Sequence, residues 1–390
     1  MKRALFVIIG EKGHIHPFLG PAAELQARGV DVAFYAPVDV RAALARAGFD
    51  SFFCGADAAP APPPGNRGQQ FAALVADPTR LRAWIKRVLV DVVPEQVTRL
   101  TAVVRAQRPD LLVIDPMIYA GAIVAEREGL PWAGLSTSLN PVVRDDMPSE
   151  LLETTRALDP ARRALFAAHG LAARFRVCDA ISPYLTVAFS TPALVGEPPP
   201  DVFLAGPSWP RRARGDEPDF PWSRLDGRPL VSMSFGSQIF HQPALFRYVI
   251  DATAALDVQL VCSVGDLDLG PLPSHVLTVP YFPQLPILKR SAVFITHGGA
   301  NSVMEAITLG APMLVAPLCN DQFHNAAFVA RAGIGLTLDL ASSPTATVEQ
   351  ALRRLLSDAS LRARMKDVSA SYRAHDGSAR AAEQLMRWLT

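Results

Sequence analysis

The stretch THGGANSVMEAITLGAPMLVAPLCNDQ, Thr296–Gln322, decides the fold of this chain. An apolar segment, Ala292–Thr296, predicts a strand that stops at His297 and two glycines, and a helix is predicted from about Ala300. Glycines at a strand-to-helix turn let backbone N–H groups approach a ligand, and the helix N-terminus adds about half a positive charge. The turn is therefore suited to holding a phosphate.

Polar residues end the same stretch. The next apolar run, Pro312–Leu318, leads into Asp321 and Gln322. A carboxylate and an amide can accept and donate hydrogen bonds to hydroxyl groups. Beside a phosphate-binding turn, this pair predicts a nucleotide-linked ligand with a hydroxylated end.

Length and composition predict an ordinary globular protein with two domains. A chain of 390 residues is long for one hydrophobic core. Hydrophobic residues make up 49% and charged residues 19%, which is typical of globular domains. A formal net charge of +1 gives no electrostatic basis for binding nucleic acid.

The cysteines and the N-terminus favour a reducing, cytoplasmic location. The four cysteines are far apart and form no CxxC pair, so metal and disulfide roles are not expected. The apolar run Ala4–Ile9 is too short for a signal peptide. No apolar run approaches the roughly 20 residues that span a bilayer, so no integral membrane contact is expected, while peripheral contact stays open.

The first third of the chain begins with a βαβ pattern. Ala4–Ile9 predicts a buried strand, Gly10–Pro17 a loop, Phe18–Arg28 a helix and Val30–Ala36 a second strand. The loop reads GEKGHIHP and lacks the G-x-G-x-x-G pattern of dinucleotide-binding proteins, which argues against an NAD oxidoreductase.

The rest of the chain alternates in the same way. Residues 55–70 predict a mobile loop, and the apolar spacing in 71–107 predicts helix, either as core or as one wall of an apolar pocket. Further strands are predicted at Leu111–Asp115, Trp132–Leu135, Leu185–Phe189, Leu230–Ser234, Gln259–Ser263 and Val276–Val279, and further helices near 243–256, 323–332, 348–357, 360–373 and 378–389.

A proline-rich segment marks the domain boundary. We predict an N-terminal acceptor-binding domain over 1–197 and a linker over 198–228. A C-terminal donor-binding domain follows over 229–374. The last segment, 375–390, is predicted to be a helix that packs back towards the N-terminal domain.

These residues give the chain a resemblance to the nucleotide-sugar-dependent glycosyltransferases of family 1, which have the GT-B fold. The bacterial natural-product branch, with the macrolide glycosyltransferases and zeaxanthin glucosyltransferase, looks nearest. GHIHP resembles the family's G-H-x-x-P, and Ile114–Asp115 resembles the position of its catalytic aspartate. The donor signature is matched at Tyr281, Pro283, Gln284, His297, Asn301, Ser302, Glu305, Asp321 and Gln322.

The resemblance implies an α/β protein of GT-B architecture, with two doubly wound, Rossmann-like domains facing across a cleft. It also implies an inverting O-glycosyltransferase. Two departures stand out: the family often has Trp where Tyr281 stands, which leaves the donor base open, and plant members have Cys and Trp in place of Gly298 and Ala300.

His14 and Asp115 are the predicted catalytic residues. An imidazole titrates near neutral pH and can take a proton from an acceptor hydroxyl, and a carboxylate can orient the ring and stabilise the imidazolium. Both residues follow predicted strands of the first sheet, so they could meet. A lone histidine is more often structural, and an H-x-H metal pair with His16 lacks a third ligand at suitable spacing.

The resemblance also gives the donor-binding residues. Backbone and hydroxyl groups of the two turns would hold the diphosphate, with no metal cofactor expected because the helix dipole stabilises leaving-group charge. Glu305 would bind the ribose, although alone it could be a surface glutamate. The predicted set is Gly236, Ser237, Tyr281, Phe282, Gln284, His297, Gly299, Ala300, Asn301, Ser302, Glu305, Asp321 and Gln322.

The acceptor is predicted from weaker signals. Met117, Ser138 and Asn140 follow strands and could contact it, and the apolar helices suggest a hydroxylated natural product. A donor with free 3- and 4-hydroxyls, hence UDP-glucose, is the first expectation. A dTDP-deoxysugar transferase and a non-catalytic sugar-nucleotide-binding partner protein are the alternatives, and the presence of both His14 and Asp115 argues against the second.

Overall fold

Two parallel β-sheets organise the protein. The computed structural model describes residues 1–54, 67–209 and 217–389. Within them, 1–54, 78–209 and 375–389 form a first unit, and 67–77 with 217–374 form a second. Of the loop predicted over 55–70, residues 55–66 lie outside the described residues, and residues 67–70 are helical.

Short apolar segments form the strands, most of them buried on both faces, as expected for parallel sheets covered by helices. In chain order the strands are β1 (Arg3–Val7), β2 (Asp31–Tyr35), β3 (Phe52–Phe53), β4 (Leu111–Ile114), β5 (Trp132–Ser136), β6 (Phe175–Arg176), β7 (Asp179–Ala180), β8 (Leu185–Ala188), β9 (Phe203–Leu204), β10 (Leu230–Ser234), β11 (Gln259–Ser263), β12 (Val276–Val279), β13 (Ser291–Thr296), β14 (Met313–Val315) and β15 (Gly335–Thr337).

Helices connect the strands and cover the sheets. In chain order the helices are α1 (Lys12–Ala27), α2 (Arg41–Arg46), α3 (Arg67–Val75), α4 (Pro78–Lys86), α5 (Val93–Gln107), α6 (Tyr119–Arg127), α7 (Glu150–Ala157), α8 (Asp159–Ala167), α9 (Pro192–Val195), α10 (Pro243–Thr253), α11 (Gln284–Leu288), α12 (Ala300–Leu309), α13 (Gln322–Arg331), α14 (Thr345–Ser357), α15 (Ala359–Arg373) and α16 (Gly377–Met386).

Both sheets have the doubly wound topology. The first has the order β3-β2-β1-β4-β5-β8-β9 and the second the order β12-β11-β10-β13-β14-β15, with every neighbouring pair parallel. In each sheet the strand order reverses beside the first strand, between β1 and β4 and between β10 and β13. Open α/β sheets bind their ligands outside the carboxyl ends of the strands at such a switch point. The predicted α/β class with two Rossmann-like domains is confirmed.

The first helix begins earlier than predicted. The residue before a proline is biased away from helical conformation, which is why the sequence favoured a loop up to Pro17. In the structure α1 begins at Lys12, with the N–H groups of His14 and Ile15 donating to the carbonyl of Glu11. Tertiary packing overrides the local preference, because Pro17 and the residues after it are buried. His14 therefore lies in the first helical turn rather than in a loop.

The region 71–107 is broken into several pieces. It contains α3, α4, a π-helical turn at Arg87–Asp91 and α5. Helix α3 belongs to the second unit, where Gly68 lies against the ring of Phe240. The predicted linker also begins too early, since β9 within it is the edge strand of the first sheet.

Candidate active site

His14 and Asp115 meet at the switch point of the first sheet. Val7 of β1 pairs with Ile114 of β4, so the segments that carry the two residues leave the sheet at the same edge. Nδ1 of His14 lies 2.6 Å from Oδ2 of Asp115. The two residues are 101 positions apart in sequence, and the parallel register of two neighbouring strands brings them together.

The Asp115 carboxylate is held on several sides. It is fully buried, its own N–H donates to the carbonyl of Val7 at 2.8 Å, and its Oδ1 accepts from the N–H of Met117 at 3.1 Å. A carboxylate fixed in this way also fixes the histidine ring against it, because Nδ1 must carry the shared proton. The tautomer with the lone pair on Nε2 follows.

Thr137 is a third member of this cluster that sequence reasoning missed. Its hydroxyl lies 2.8 Å from Nδ1 of His14 and 3.4 Å from Oδ2 of Asp115. Thr137 follows β5, which pairs with β4 in the sheet. The available signal was its place directly after a predicted strand.

The electrostatics of the cluster suit a general base. The His14 side chain is 25% exposed, so an external hydroxyl can reach it. The positive end of the α1 dipole favours the neutral imidazole, whereas the buried Asp115 carboxylate stabilises the imidazolium after proton uptake. The group can therefore accept a proton and then hold the resulting charge.

His297 lies at the switch point of the second sheet, packed between two glycines. A Cβ on Gly236, after β10, would lie 2.8 Å from Cε1 of His297, and one on Gly299 would lie 2.6 Å from Nε2. The ring is partly exposed, but its Nδ1 is buried. Burial lowers the pKa of His297 to about 4, although a hydrogen bond with the Ser234 backbone acts in the opposite direction. The imidazole is therefore neutral near pH 7.

The same turn presents backbone N–H groups at a helix N-terminus. Gly298 has a φ of 87°, which favours glycine, and Gly299 is the N-cap of α12. Glycine has no side chain to cap the helix, so N–H groups of the first turn, at Ala300 and beyond, can bind an anion. Asn301 is partly exposed and Ser302 is buried at this end.

Gln284 and Glu305 form one pair. Nε2 of Gln284 donates to Oε2 of Glu305 at 2.6 Å and to Oγ of Ser302 at 3.3 Å. Glu305 is only 1% exposed, so it is not a surface glutamate. The structure thus brings together three of the predicted donor residues.

Asn325 links the two ends of the stretch Thr296–Gln322, and no sequence pattern predicted this role. Its Nδ2 donates to the carbonyl of Gly298 at 2.8 Å and to Oδ2 of Asp321 at 3.0 Å. Gln322 is 7% exposed, and its Oε1 accepts from the N–H groups of Leu318 and Cys319. Asp321 and Gln322, which we call the sugar clamp because they are predicted to bind the sugar, therefore also stabilise this loop.

We expect Asn325→Ala to lower the free energy of unfolding by about 1–3 kcal/mol, because it removes two hydrogen bonds in a buried place. It should also weaken binding of UDP, the nucleotide of the predicted donor, about tenfold, since the Gly298 turn loses its brace. Calorimetric titration and urea unfolding measure the two effects. Thr253→Val is the control, since Thr253 is a buried residue of α10 that donates to Ile250; it should change stability alone. Unchanged UDP affinity in a folded Asn325→Ala protein would contradict the expectation.

Other predicted residues are placed differently. The Phe282 side chain is 1% exposed and packs in the core, which argues against a contact with the donor through its ring. Tyr281 is partly exposed, and Ser237 is exposed in the turn after β10. Asn140 is 2% exposed and donates to Asp179 at 2.8 Å, which argues against the predicted acceptor contact.

Two acceptor predictions and the metal question remain. Met117 and Ser138 are partly exposed, and their contact with an acceptor stays a prediction. Oγ of Ser138 accepts from the N–H of Asn140 at 3.1 Å. Within the described ranges, no group of three or more His, Cys, Asp or Glu side chains is placed to hold a metal ion.

The C-terminal part of the chain matches a known protein family. Residues 226–376 match the family model described as UDP-glucoronosyl and UDP-glucosyl transferase. The matched range contains the turn after β10, the turn that carries His297, and the Asp321–Gln322 pair. This chain is a glycosyltransferase, and its residues 226–376 resemble those of family 1.

Relatives of this glycosyltransferase match it over nearly its whole length. The uncharacterized UDP-glucosyltransferase YojK of Bacillus subtilis is 24% identical over 99% of this chain and 97% of its own. The oleandomycin glycosyltransferase of Streptomyces antibioticus is 25% identical over 96% of this chain and 88% of its own. The crystal structure of the kitacinnamycin glycotransferase is 25% identical and superposes with a TM-score of 0.74, covering 100% of this chain and 99% of that one.

In the part of the chain that the structure describes, no helix has the length and apolar character needed to cross a membrane.

Proposed function

We propose that this glycosyltransferase moves glucose from UDP-glucose to a hydroxyl of an apolar natural product, with inversion at the anomeric carbon. The observation that carries the proposal is the 2.6 Å pair of His14 and a buried Asp115 at a sheet switch point. A sugar-binding protein without activity has no need for a buried carboxylate behind a histidine.

The proposed reaction is a single displacement. Nε2 of His14 takes the proton of the acceptor hydroxyl, and the acceptor oxygen forms a bond to the anomeric carbon. The bond from that carbon to the diphosphate oxygen breaks, and UDP leaves with the electron pair. One displacement inverts the configuration, and Asp115 stabilises the imidazolium that forms.

The donor turn would stabilise the leaving diphosphate. N–H groups at the start of α12 and the turn after β10 supply oriented donors, and His297 is neutral, so it adds no charge that depends on pH near 7. We therefore propose transfer without a divalent metal, and expect the rate to be unchanged after EDTA treatment. A rate that falls in EDTA and returns with Mg²⁺ would contradict this.

The sugar and the base are inferred from the polar residues. Gln284 and Glu305 form a buried polar pair suited to ribose hydroxyls. Asp321 would hold the sugar hydroxyls, which favours glucose over a deoxysugar. The oleandomycin relative supports a natural-product acceptor, and the half-buried Trp84 of α4 supports an apolar one.

We expect purified protein to consume UDP-glucose in preference to dTDP-deoxysugars. A donor that lacks a hydroxyl leaves its partner in the clamp unpaired, which costs about 1–3 kcal/mol, or roughly 5- to 150-fold in kcat/KM. Mass spectrometry of a panel of donors against apolar acceptors measures the preference. If the protein consumes dTDP-deoxysugars and leaves UDP-glucose intact, the proposed donor is wrong, while the assignment as a glycosyltransferase stands.

A further inference from the structure

Asp179 is a buried carboxylate that the proposed reaction does not use. It lies in β7, which forms a short antiparallel hairpin with β6, and it is 1% exposed. Oγ of Ser136 donates to Oδ2 of Asp179 at 2.6 Å, and Nδ2 of Asn140 donates to Oδ1 at 2.8 Å. Both oxygens of this buried carboxylate are therefore bound by the same loop.

That loop carries Thr137. Ser136 and Asn140 lie on either side of it in sequence, and the Thr137 hydroxyl contacts Nδ1 of His14. The hairpin also reaches the segment after Asp115, because the N–H of Ala180 donates to the carbonyl of Pro116 at 3.0 Å. The β6–β7 hairpin thus contacts both the loop that carries Thr137 and the segment that follows Asp115, which are two of the three segments around His14.

We propose that Asp179 is a positioning residue of the catalytic centre, which holds Thr137 against the His14–Asp115 pair and whose charge state acts on His14. The inference rests on the proposed role of His14 as the base. Asp179 is not itself a catalytic residue, because its contacts to the base run through Ser136 and Asn140.

The charge on Asp179 changes in the range where the enzyme would work. Burial raises the pKa of Asp179 to about 7, against the hydrogen bonds from Ser136 and Asn140 that lower it. Asp115 raises this pKa further and His14 lowers it. The interaction is reciprocal, so an ionised Asp179 favours the imidazolium form of His14.

Other titratable groups also face the hairpin. Tyr119 of α6 donates to the carbonyl of Cys178, and Arg162 of α8 donates to the Tyr119 hydroxyl and to the carbonyl of Val177. Arg162 is cationic at every relevant pH, and burial raises the pKa of Tyr119 far above neutrality. Their charges stay constant while Asp179 titrates, so neither group contributes to a change in this cluster near neutral pH.

The proton on Asp179 also sets the direction of hydrogen bonding in the loop. Ser136 has one hydroxyl hydrogen, and the acceptors in reach include Oδ2 of Asp179 at 2.6 Å and the carbonyl of Ser138 at 3.0 Å. When Asp179 is ionised, Ser136 donates to it. When Asp179 is protonated, Oδ2–H can donate to Ser136, whose hydrogen then turns to Ser138.

Asp179→Asn tests the proposal, because it removes the charge at every pH and keeps the shape. We expect kcat to fall about tenfold with donor affinity unchanged, since the base is misplaced and the donor turn is not. We also expect the midpoint of the His14 imidazole titration, followed by NMR, to move about half a pH unit lower, because a neighbouring negative charge is gone. The acid limb of the kcat profile should move the same way.

Ser136→Ala is the matched control, because it removes one hydrogen bond and leaves the carboxylate in place. It should lower kcat and move the His14 midpoint less than Asp179→Asn does, because the carboxylate can still ionise. An unchanged His14 midpoint in folded Asp179→Asn overturns the proposal. The NMR titration needs no transfer activity, so it decides the inference even where the proposed reaction fails.

A double-mutant cycle keeps the proposal testable where Asp179→Asn does not fold. If the loop acts through Thr137, Ser136→Ala should lower kcat in the wild type and have little further effect in Thr137→Val. Additive losses in kcat in the double variant would overturn the positioning role.

Discussion

Replacing His14 with alanine is expected to lower kcat by about 10²- to 10⁴-fold, the usual contribution of a positioned general base. The acceptor hydroxyl would then have to lose its proton to water. UDP affinity should stay at the wild-type value, because the donor turn and His14 belong to different units of the chain. Single-turnover transfer and calorimetric titration with UDP measure the two quantities.

His16→Ala is the control for this experiment. His16 lies in the same first part of α1 and is also partly exposed, so its loss matches that of His14 in size and in local helix propensity. It should leave kcat within a few-fold of wild type. Normal transfer by His14→Ala would remove His14 as the base, and loss of UDP binding would mean that the variant perturbs the fold.

Gly236→Ala is expected to give the second large effect. The new Cβ would lie 2.8 Å from Cε1 of His297, and the φ of 75° already disfavours alanine by about 1–2 kcal/mol. The ring must move, and the turn that holds the diphosphate moves with it. We expect UDP affinity to fall about tenfold or more, since each 1.4 kcal/mol is a factor of ten.

Gly227→Ala separates backbone strain from the clash with His297. Gly227 has a φ of 89° in the same unit, and its Cβ would meet nothing within 4 Å. It should lower the free energy of unfolding by about 1–2 kcal/mol and leave UDP affinity unchanged. Equal losses of UDP affinity in the two variants would show that strain alone explains the effect.

The sequence predicted the sheets better than the helix ends. Strands such as Leu230–Ser234 and Gln259–Ser263 were read with the bounds the structure has, because buried parallel strands are short apolar runs between breakers. The start of α1 was wrong because Pro17 is a local signal against helix, and packing in the first unit outweighs it.

The candidate site was predictable where a residue type carries its own chemistry. His14 and Asp115 were paired from the ends of their strands, and the structure brings them within 2.6 Å. Thr137, Asn325 and Asp179 were not predictable in this way. Each acts through a contact distant in sequence, and a threonine, an asparagine or an aspartate usually has no such role.

The first unit is closed by the last helix of the chain. Helix α16 packs on α1, and Oγ of Ser378 donates to the carbonyl of Trp209 at 3.0 Å while lying against Gly20. On the ribosome, the N-terminal sheet is therefore made long before its final cover. The face of α1 that α16 covers stays bare until α16, about 350 residues further along the chain, has been translated. We expect a chain truncated before Gly377 to leave this face of α1 exposed to solvent.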